Sequence, residues 1–559
     1  MTECTETMTT NEAPEIDSRA ASSGPQALLR RVVTYKIDLI LLLAAAASLI
    51  TSCVIISPKK PFWNDELIAW MPINDPSIGH MFSALRNGVD AAPPLFHFSA
   101  RAWALFFGGD EMGLRLFASA GFCLALIVLW FTLRRHYGSV ATGFGLLTIW
   151  CTSSLFLYQN SEARNYGLFC AACAVTVAVY QALADRTEKM SARLAAVTIV
   201  CQAGLVMSHL YGIVYGGLTL LALVAWDWLN GRFRPVVYAT FAAGWLVLVP
   251  WLPTLWRVSQ SNLQHGWIQV PDLSALAAAY SFYIQPHVLF VFLALAAAGV
   301  LIASRSRAAD QVPETDSSRA ANPLLAVAVT YMMAPLLAFA GSHVISPFFV
   351  ARYMLPSSIG AAILLATAAQ GLLCKANFLP GVSAHWAAVA TLVVHLTWAA
   401  FFAGLLAYPV VLARSLPKGE PPNPAVEQYL IPNLPVVTEH VYDFMLLSHY
   451  TRRPDRPYYF ILDLEVASDP RMPRDQLFLH KERKIWRDNG YLADRTLTTA
   501  EFLCNSDQFM VLHYPGLIWN EERVLKDPAF QSQPVATLGD HMLWLVRRKP
   551  GQTPAVCRP

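Results

Sequence analysis

Charge is what this chain has least of. Only 14% of its 559 residues are Asp, Glu, Lys or Arg, against 55% hydrophobic, which excludes an ordinary soluble globular protein. Neither sign dominates. The formal net charge is +3 and no face-sized basic block exists outside short loops, so a nucleic-acid partner is not expected. A cysteine framework for metal is also missing. Of ten cysteines, seven (Cys53, Cys123, Cys151, Cys170, Cys173, Cys201 and Cys374) fall in or beside apolar runs, where they serve as small core hydrophobes. Cys170 and Cys173 have the spacing of a zinc pair, but they lie in an apolar stretch with no second pair. No internal repeat occurs, nor the inverted halves with broken helices of many transporters. No small-residue cleavage site follows the first apolar run, so that run is expected to remain as an anchor.

What the chain has is membrane-length apolar runs. Residues 1–35 read as a disordered cytoplasmic tail, rich in Thr, Ser, Glu and Ala at its start. Apolar runs follow at 37–56, 114–133, 140–158, 165–184, 192–210, 212–229, 236–255, 275–303, 322–341, 353–373 and 385–411, about eleven transmembrane helices. Leu95–Phe107 is too short to span and carries Arg101, so it is expected to lie along the outer interface. One set of alternate loops holds Arg134, Arg135, Arg186, Lys189, Arg193, Arg232, Arg234, Arg305, Arg307, Arg319 and Lys375. The opposite set, past the first loop, holds Arg164, Arg257 and Arg352. The larger set belongs in the cytoplasm. Lys59 and Lys60 run against that rule. The first loop (58–113) and the segment after residue 414 are then extracytoplasmic. From 415 to 559 the pattern changes to short strands, at Pro435–Glu439, Tyr458–Asp463, Phe509–His513 and Met542–Arg547, with a helix at Val441–Thr451. That alternation reads as a small α/β domain, in a compartment that permits Cys504 and Cys557 to pair.

The first outer loop holds four carboxylates, Asp65, Glu66, Asp75 and Asp90, among Trp63, Trp70 and Pro93-Pro94. Adjacent acids beside a bilayer are rarely idle. Asp65-Glu66 after the first span, Pro93-Pro94-Leu95-Phe96, and Arg115-Leu116-Phe117 opening the next span together resemble the GT-C glycosyltransferases. The likeness is to their protein mannosyltransferase and aminoarabinose transferase branch, with its lipopolysaccharide-core galacturonosyltransferase-like group. Three further elements fit in order and on one side of the membrane: Glu162-Ala163-Arg164-Asn165-Tyr166, His209-Leu210-Tyr211-Gly212 and Arg352-Tyr353-Met354-Leu355-Pro356. The resemblance covers roughly residues 35–370; the C-terminal domain matches nothing by motif.

The resemblance implies an α-helical polytopic GT-C-like fold in a bacterial inner membrane. It also implies transfer of a sugar from a polyprenyl-phosphate donor to a lipid, glycan or protein acceptor on the far face. One direct displacement inverts the anomeric centre. Asp65 would be the base for the acceptor hydroxyl, with Glu66 orienting it or touching a metal. Arg164 and Arg352, with Tyr353, would hold the departing phosphate. Some relatives hold a divalent ion, for which Glu162, His209 and His265 would join Asp65 or Glu66, and Asp90 is a further metal or acceptor candidate. One departure stands out. Where the aminoarabinose branch has Glu-Lys before the Pro-Pro, this chain has Ala91-Ala92, which counts against aminoarabinose as the sugar.

A transporter or flippase would carry its ionisable residues at mid-membrane, whereas these sit at span ends. An O-antigen-type ligase would not need the Asp-Glu loop, and an oligosaccharyltransferase would carry a Trp-Trp-Asp element that is missing here. The topology is directly testable. A reporter active only outside the cytoplasm should be active when fused after Arg414 and silent at Arg307; the reverse pattern would move Asp65 to the cytoplasmic side.

Overall fold

The computed structural model describes residues 25–186, 190–265, 268–281, 322–376 and 384–558. Within them, the side chains of 25–35, 260–265, 372–376 and 384–395 lie outside the description. Among the described residues seven helices are long and apolar enough to cross a membrane: Lys36–Lys59, Glu111–Leu133, Tyr166–Ala184, Gly212–Leu229, Pro235–Ser259, Pro323–Val344 and Leu396–Ser415. An eighth, expected as one span at 140–158, is two helices, Ser139–Thr152 and Ser154–Asn160, bent by 66°. Ser153 adopts an extended backbone there and its hydroxyl caps the second piece, as a serine N-cap does. The runs at 192–210 and 353–373 form the shorter helices Ala192–Ser208 and Ser357–Gly371. Most of 275–303 lies outside the described residues. The first helix starts at Pro25 and so takes in the last part of the expected tail.

Small residues set a close helix crossing. A Cβ on Gly167 would lie 2.0 Å from the Ala118 carbonyl oxygen, so glycine is what lets the Tyr166–Ala184 helix press against Glu111–Leu133.

The first outer loop folds into three short helices, Asn64–Ile73, Ile78–Asn87 and Leu95–Phe107. Ser77 caps the second, and Gly88 at φ 94° ends it. Arg101, the charge inside the apolar Leu95–Phe107 stretch, donates to the carbonyls of Ile73 and Asp75, satisfying groups at the end of the Asn64–Ile73 helix. Leu105, Phe106 and Phe107 at the far end are exposed, as expected of a helix lying in the interface.

The C-terminal domain is a six-stranded sheet in the order β3-β2-β1-β4-β6-β5, with β1 Val436–Thr438, β2 Tyr458–Leu462, β3 Thr496–Thr498, β4 Gln508–His513, β5 Phe530–Leu538 and β6 His541–Arg548. The first four strands run parallel; β6 runs antiparallel to β4 and to β5. Period-two alternation splits the sheet between two cores. Val436, Phe460, Met510 and Leu545 face one; Val437, Ile461, Val511 and Val546 face the other. Cys504 and Cys557 form a disulfide that ties down the C-terminus.

The first of these cores also contains Phe62, Leu67, Ile73, Phe96 and Leu114, so the sheet domain and the first outer loop bury one another's apolar faces. Polar contacts complete the joint. Trp486 on the Gln476–Asp488 helix is buried and donates to the Val89 carbonyl at 2.9 Å. Tyr491 donates to Asp75 at 2.6 Å, and Tyr450 joins Glu111 to the Phe62 amide. Trp486→Ala should lower stability by about 3–5 kcal/mol and loosen this joint. Thermal melting in detergent and faster proteolysis within 415–559 would check it.

Candidate active site

The site is organised by the residue that leaves it. Lys60 and Trp63 are extended, and the chain turns helical at Asn64. Glu66, third in that helix, reaches back to accept the Trp63 N–H at 3.2 Å, the return half of a capping box. Its two oxygens also take Arg115 Nε at 2.9 Å and Nη2 at 2.8 Å, and the Ala163 N–H at 2.7 Å. Arg115 spends its remaining donors on the carbonyls of Ser57, Lys60 and Pro61. Both side chains are fully buried, and together they clamp the loop to the start of the next span and to the 161–165 turn. Glu66 therefore points away from the site, and the expectation that it orients Asp65 or touches a metal is not met.

Glu162 is likewise committed. It is fully buried, paired with Lys60 and accepting from the Trp63 indole. Lys59 donates to the carbonyls of Ala413, Arg414 and Leu416 at 2.9–3.0 Å, capping the last span. These contacts account for the two lysines that break the charge rule.

Asp65, next to Glu66 on the helix, points the other way and stays partly open. Its Oδ2 lies 3.0 Å from Arg352 Nη2. Arg352 Nε donates to the Tyr166 hydroxyl at 2.8 Å, and its guanidinium lies over the rings of Trp63 and Tyr353. Arg164 donates to the Asp65 carbonyl at 2.8 Å and lies 3.7 Å from Asp90; its Nε is buried with no hydrogen-bond partner among the described residues. Burial opposes ionisation of Asp90, but the His97 hydrogen bond at 3.1 Å and the Arg164 charge hold its carboxyl well below the usual range. His209 is buried, stacked on Phe169 and beside Tyr353. Burial first, then Arg164 and Arg352, pushes it down to about 3, so its imidazole is neutral. Its Nδ1 accepts the Tyr211 N–H at 3.0 Å, which leaves the proton on Nε2.

Six of the residues expected from sequence thus gather: Asp65, Asp90, Arg164, His209, Arg352 and Tyr353. The side chain of His265 lies outside the described residues. The set named for a divalent ion does not assemble. Glu66 and Glu162 are consumed by cations, and no group of three or more His, Cys, Asp or Glu among the described residues could hold a metal.

With this geometry in hand, solved structures offer a counterpart. ArnT from Cupriavidus metallidurans bound to undecaprenyl phosphate matches with a TM-score of 0.54 and 16% identity, over 92% of this chain and 98% of that one. The apo form of the same protein matches with a TM-score of 0.55 and 16% identity, over 90% and 97%. The chain shares its fold with ArnT. No family model matches it, and no curated protein matches its sequence. Because the ArnT likeness spans 92% of the chain, it takes in much of the C-terminal domain, where no motif was recognised.

Sequence reasoning missed how near that domain comes to these residues. Glu482 on the Gln476–Asp488 helix lies within electrostatic reach of Asp65, Asp90 and Arg164, and Tyr442 on the Val441–Tyr450 helix within reach of Glu482 and Asp65. Glu482 is the one acid in the basic stretch Lys481–Arg487, and no local signal points from it to the first outer loop. Glu66→Ala should lower stability by about 3–5 kcal/mol by stranding buried Arg115, whereas Asp65→Ala, whose pair is partly exposed, should lower it little. Melting curves of the two detergent-purified variants would distinguish the clamp from the site residue.

Proposed function

We propose that the chain is an inverting glycosyltransferase taking a sugar from a polyprenyl-phosphate donor on the extracytoplasmic face of a bacterial inner membrane. The observation that carries this reading is the pair of guanidinium groups, Arg164 and Arg352, brought together in a chain with the ArnT fold. The ArnT structure was solved with undecaprenyl phosphate bound. Two forks on one surface suit the oxygens of a departing phosphate. The Cys504–Cys557 disulfide supports an oxidising location for the C-terminal domain, and the loop charges support the same orientation.

In this reading the acceptor oxygen attacks the anomeric carbon and the bond to phosphate breaks. The electron pair leaves on a phosphate oxygen held by Arg352 and Arg164. Asp65 is the counter-charge that fixes Arg352, with Tyr166 setting the tilt of its fork. Neutral His209 and Tyr353 line the same wall, and the His209 Nε2–H is a donor for a sugar or phosphate oxygen. The Glu-Lys pair of the aminoarabinose branch is replaced by Ala91-Ala92, so phosphate recognition falls to the arginines. That difference favours a sugar other than aminoarabinose, passed to an envelope lipid, glycan or protein.

If Arg352 holds the leaving group, Arg352→Lys should lose most of the transfer rate, because an ammonium cannot reproduce a two-toothed contact. Undecaprenyl phosphate should also bind more weakly. Unchanged turnover and binding would reduce Arg352 to an interfacial residue.

A further inference from the structure

The carboxyl ends of β2 and β3 open onto a cleft of about 550 Å³, the size of a small-molecule pocket. Ligands of wound parallel sheets sit outside the carboxyl ends of the strands. None of the residues assigned to sugar transfer lines this cleft. Its floor is built from two strand-to-helix turns. Asp463, directly after β2, caps the Leu464–Ala467 helix by accepting the Val466 N–H at 3.0 Å. Thr498, the last residue of β3, caps the Thr499–Leu503 helix. Asp463 Oδ2 also takes the Thr499 hydroxyl at 2.7 Å and Arg523 Nε at 2.8 Å, and the Trp519 indole donates to Thr499 at 3.1 Å. Val556 forms a further wall, held there by the disulfide from its neighbour Cys557 to Cys504.

The lining selects a ligand class. Lys484, Arg487 and Arg523 face Asp463, Glu465 and Asp488 across the cleft, so its walls carry no net charge and offer donors beside acceptors. Arg523 holds Glu465 at 2.6 Å, and Lys484 holds Asp488 at 2.5 Å. Both of those acids are exposed, so their pairs are weak in water and open to exchange with a ligand's own groups. Leu462, Leu464, Ala500 and Val556 place apolar surface between the charges. Other ligands fit less well. No aromatic ring lines the cleft to stack a base, and neither 462–465 nor 498–500 holds a glycine that would let the backbone close on a phosphate. The helices starting there have four and five residues, too few to sum a macrodipole for an anion. Hydroxyl groups, each both donor and acceptor, on a skeleton with C–H faces match both parts of this surface.

We propose that this cleft is a carbohydrate-binding site for a chain of neutral sugars, separate from the site built on Asp65, Arg164 and Arg352. Sugar hydroxyls accept from Arg487 and Arg523 and donate to Glu465 and Asp488, while C–H faces rest on Leu464 and Val556. The Gln476–Asp488 helix divides the two sites. Its Lys484, Arg487 and Asp488 line the cleft, whereas its Trp486 donates to the Val89 carbonyl of the first outer loop at 2.9 Å. A glycan held here is anchored to the extramembrane domain without entering the transfer site, so its binding does not depend on sugar transfer.

The test is titration calorimetry on the full chain in nanodiscs. Maltotetraose, mannotetraose, galactotetraose and chitotetraose serve as neutral chains, with tri-galacturonate and inorganic phosphate as anions. At least one neutral tetrasaccharide should bind saturably. Val556→Trp, which fills the cleft from the tethered tail, and Arg487→Ala, which removes a donor but only an exposed ion pair, should each weaken that binding about tenfold or more. Their melting curves and their binding of undecaprenyl phosphate should stay close to wild type, and Arg352→Lys should bind the tetrasaccharide as wild type does. The assignment falls if no neutral tetrasaccharide binds, if only galacturonate or phosphate does, or if both cleft variants bind the tetrasaccharide like wild type. Each of those results leaves the glycosyltransferase reading standing, because none of them measures transfer. A wild-type protein that binds the tetrasaccharide but transfers no sugar from a polyprenyl-phosphate donor overturns that reading and leaves the cleft in place.

Discussion

The buried pair of Glu66 and Arg115 is the constraint on which the rest of the site depends. Every oxygen of the acid and every N–H of the guanidinium is matched, so the pair is satisfied in a region where an unmatched charge would be costly. It fixes the first turn of the Asn64–Ile73 helix against the second span. Neighbours on a helix diverge by about 100°, so burying Glu66 turns Asp65 outward toward Arg352. One acid is spent on structure, and its neighbour becomes available.

A second level of organisation is the joint between membrane and sheet domain. The loop helices cannot bury their apolar faces in water, and the sheet has one face uncovered without them. The shared core of Phe62, Leu67, Phe96, Phe444, Phe460 and Trp486 resolves both. The same contact fixes the Gln476–Asp488 helix against the loop at Val89, next to Asp90.

Charges in this chain divide by what they meet. Lys59, Lys60, Arg101, Arg115 and Glu162 are buried or half-buried, and each meets a carbonyl, an opposite charge or both. Their work is to close helix ends and hold turns where water is scarce. Asp65 stays partly open, and Arg164 keeps a buried Nε with no hydrogen-bond partner among the described residues. Incomplete satisfaction, more than charge itself, separates the site from its scaffold.

Local pattern determined a good deal. Apolar length marked the spans, and Leu95–Phe107 was read to the residue, because a helix lying at an interface is set by its own composition. Val436–Thr438, Tyr458–Leu462, Gln508–His513 and the helix Val441–Tyr450 follow from period and turn residues. Motif order brought Asp65, Arg164, His209 and Arg352 to one side. What periodicity left undecided was destination. Glu66 and Glu162 read as site acids until Arg115 and Lys60, distant in sequence, claimed them. The weakly apolar β3 and β5 strands take their form from neighbours already in the sheet, so they carried little signal of their own. Glu482 lies over 400 residues from Asp65 in the chain, and only the packing of the sheet domain onto the first outer loop brings the two together. Pairing across that separation is written in no local window; it is a property of the tertiary fold.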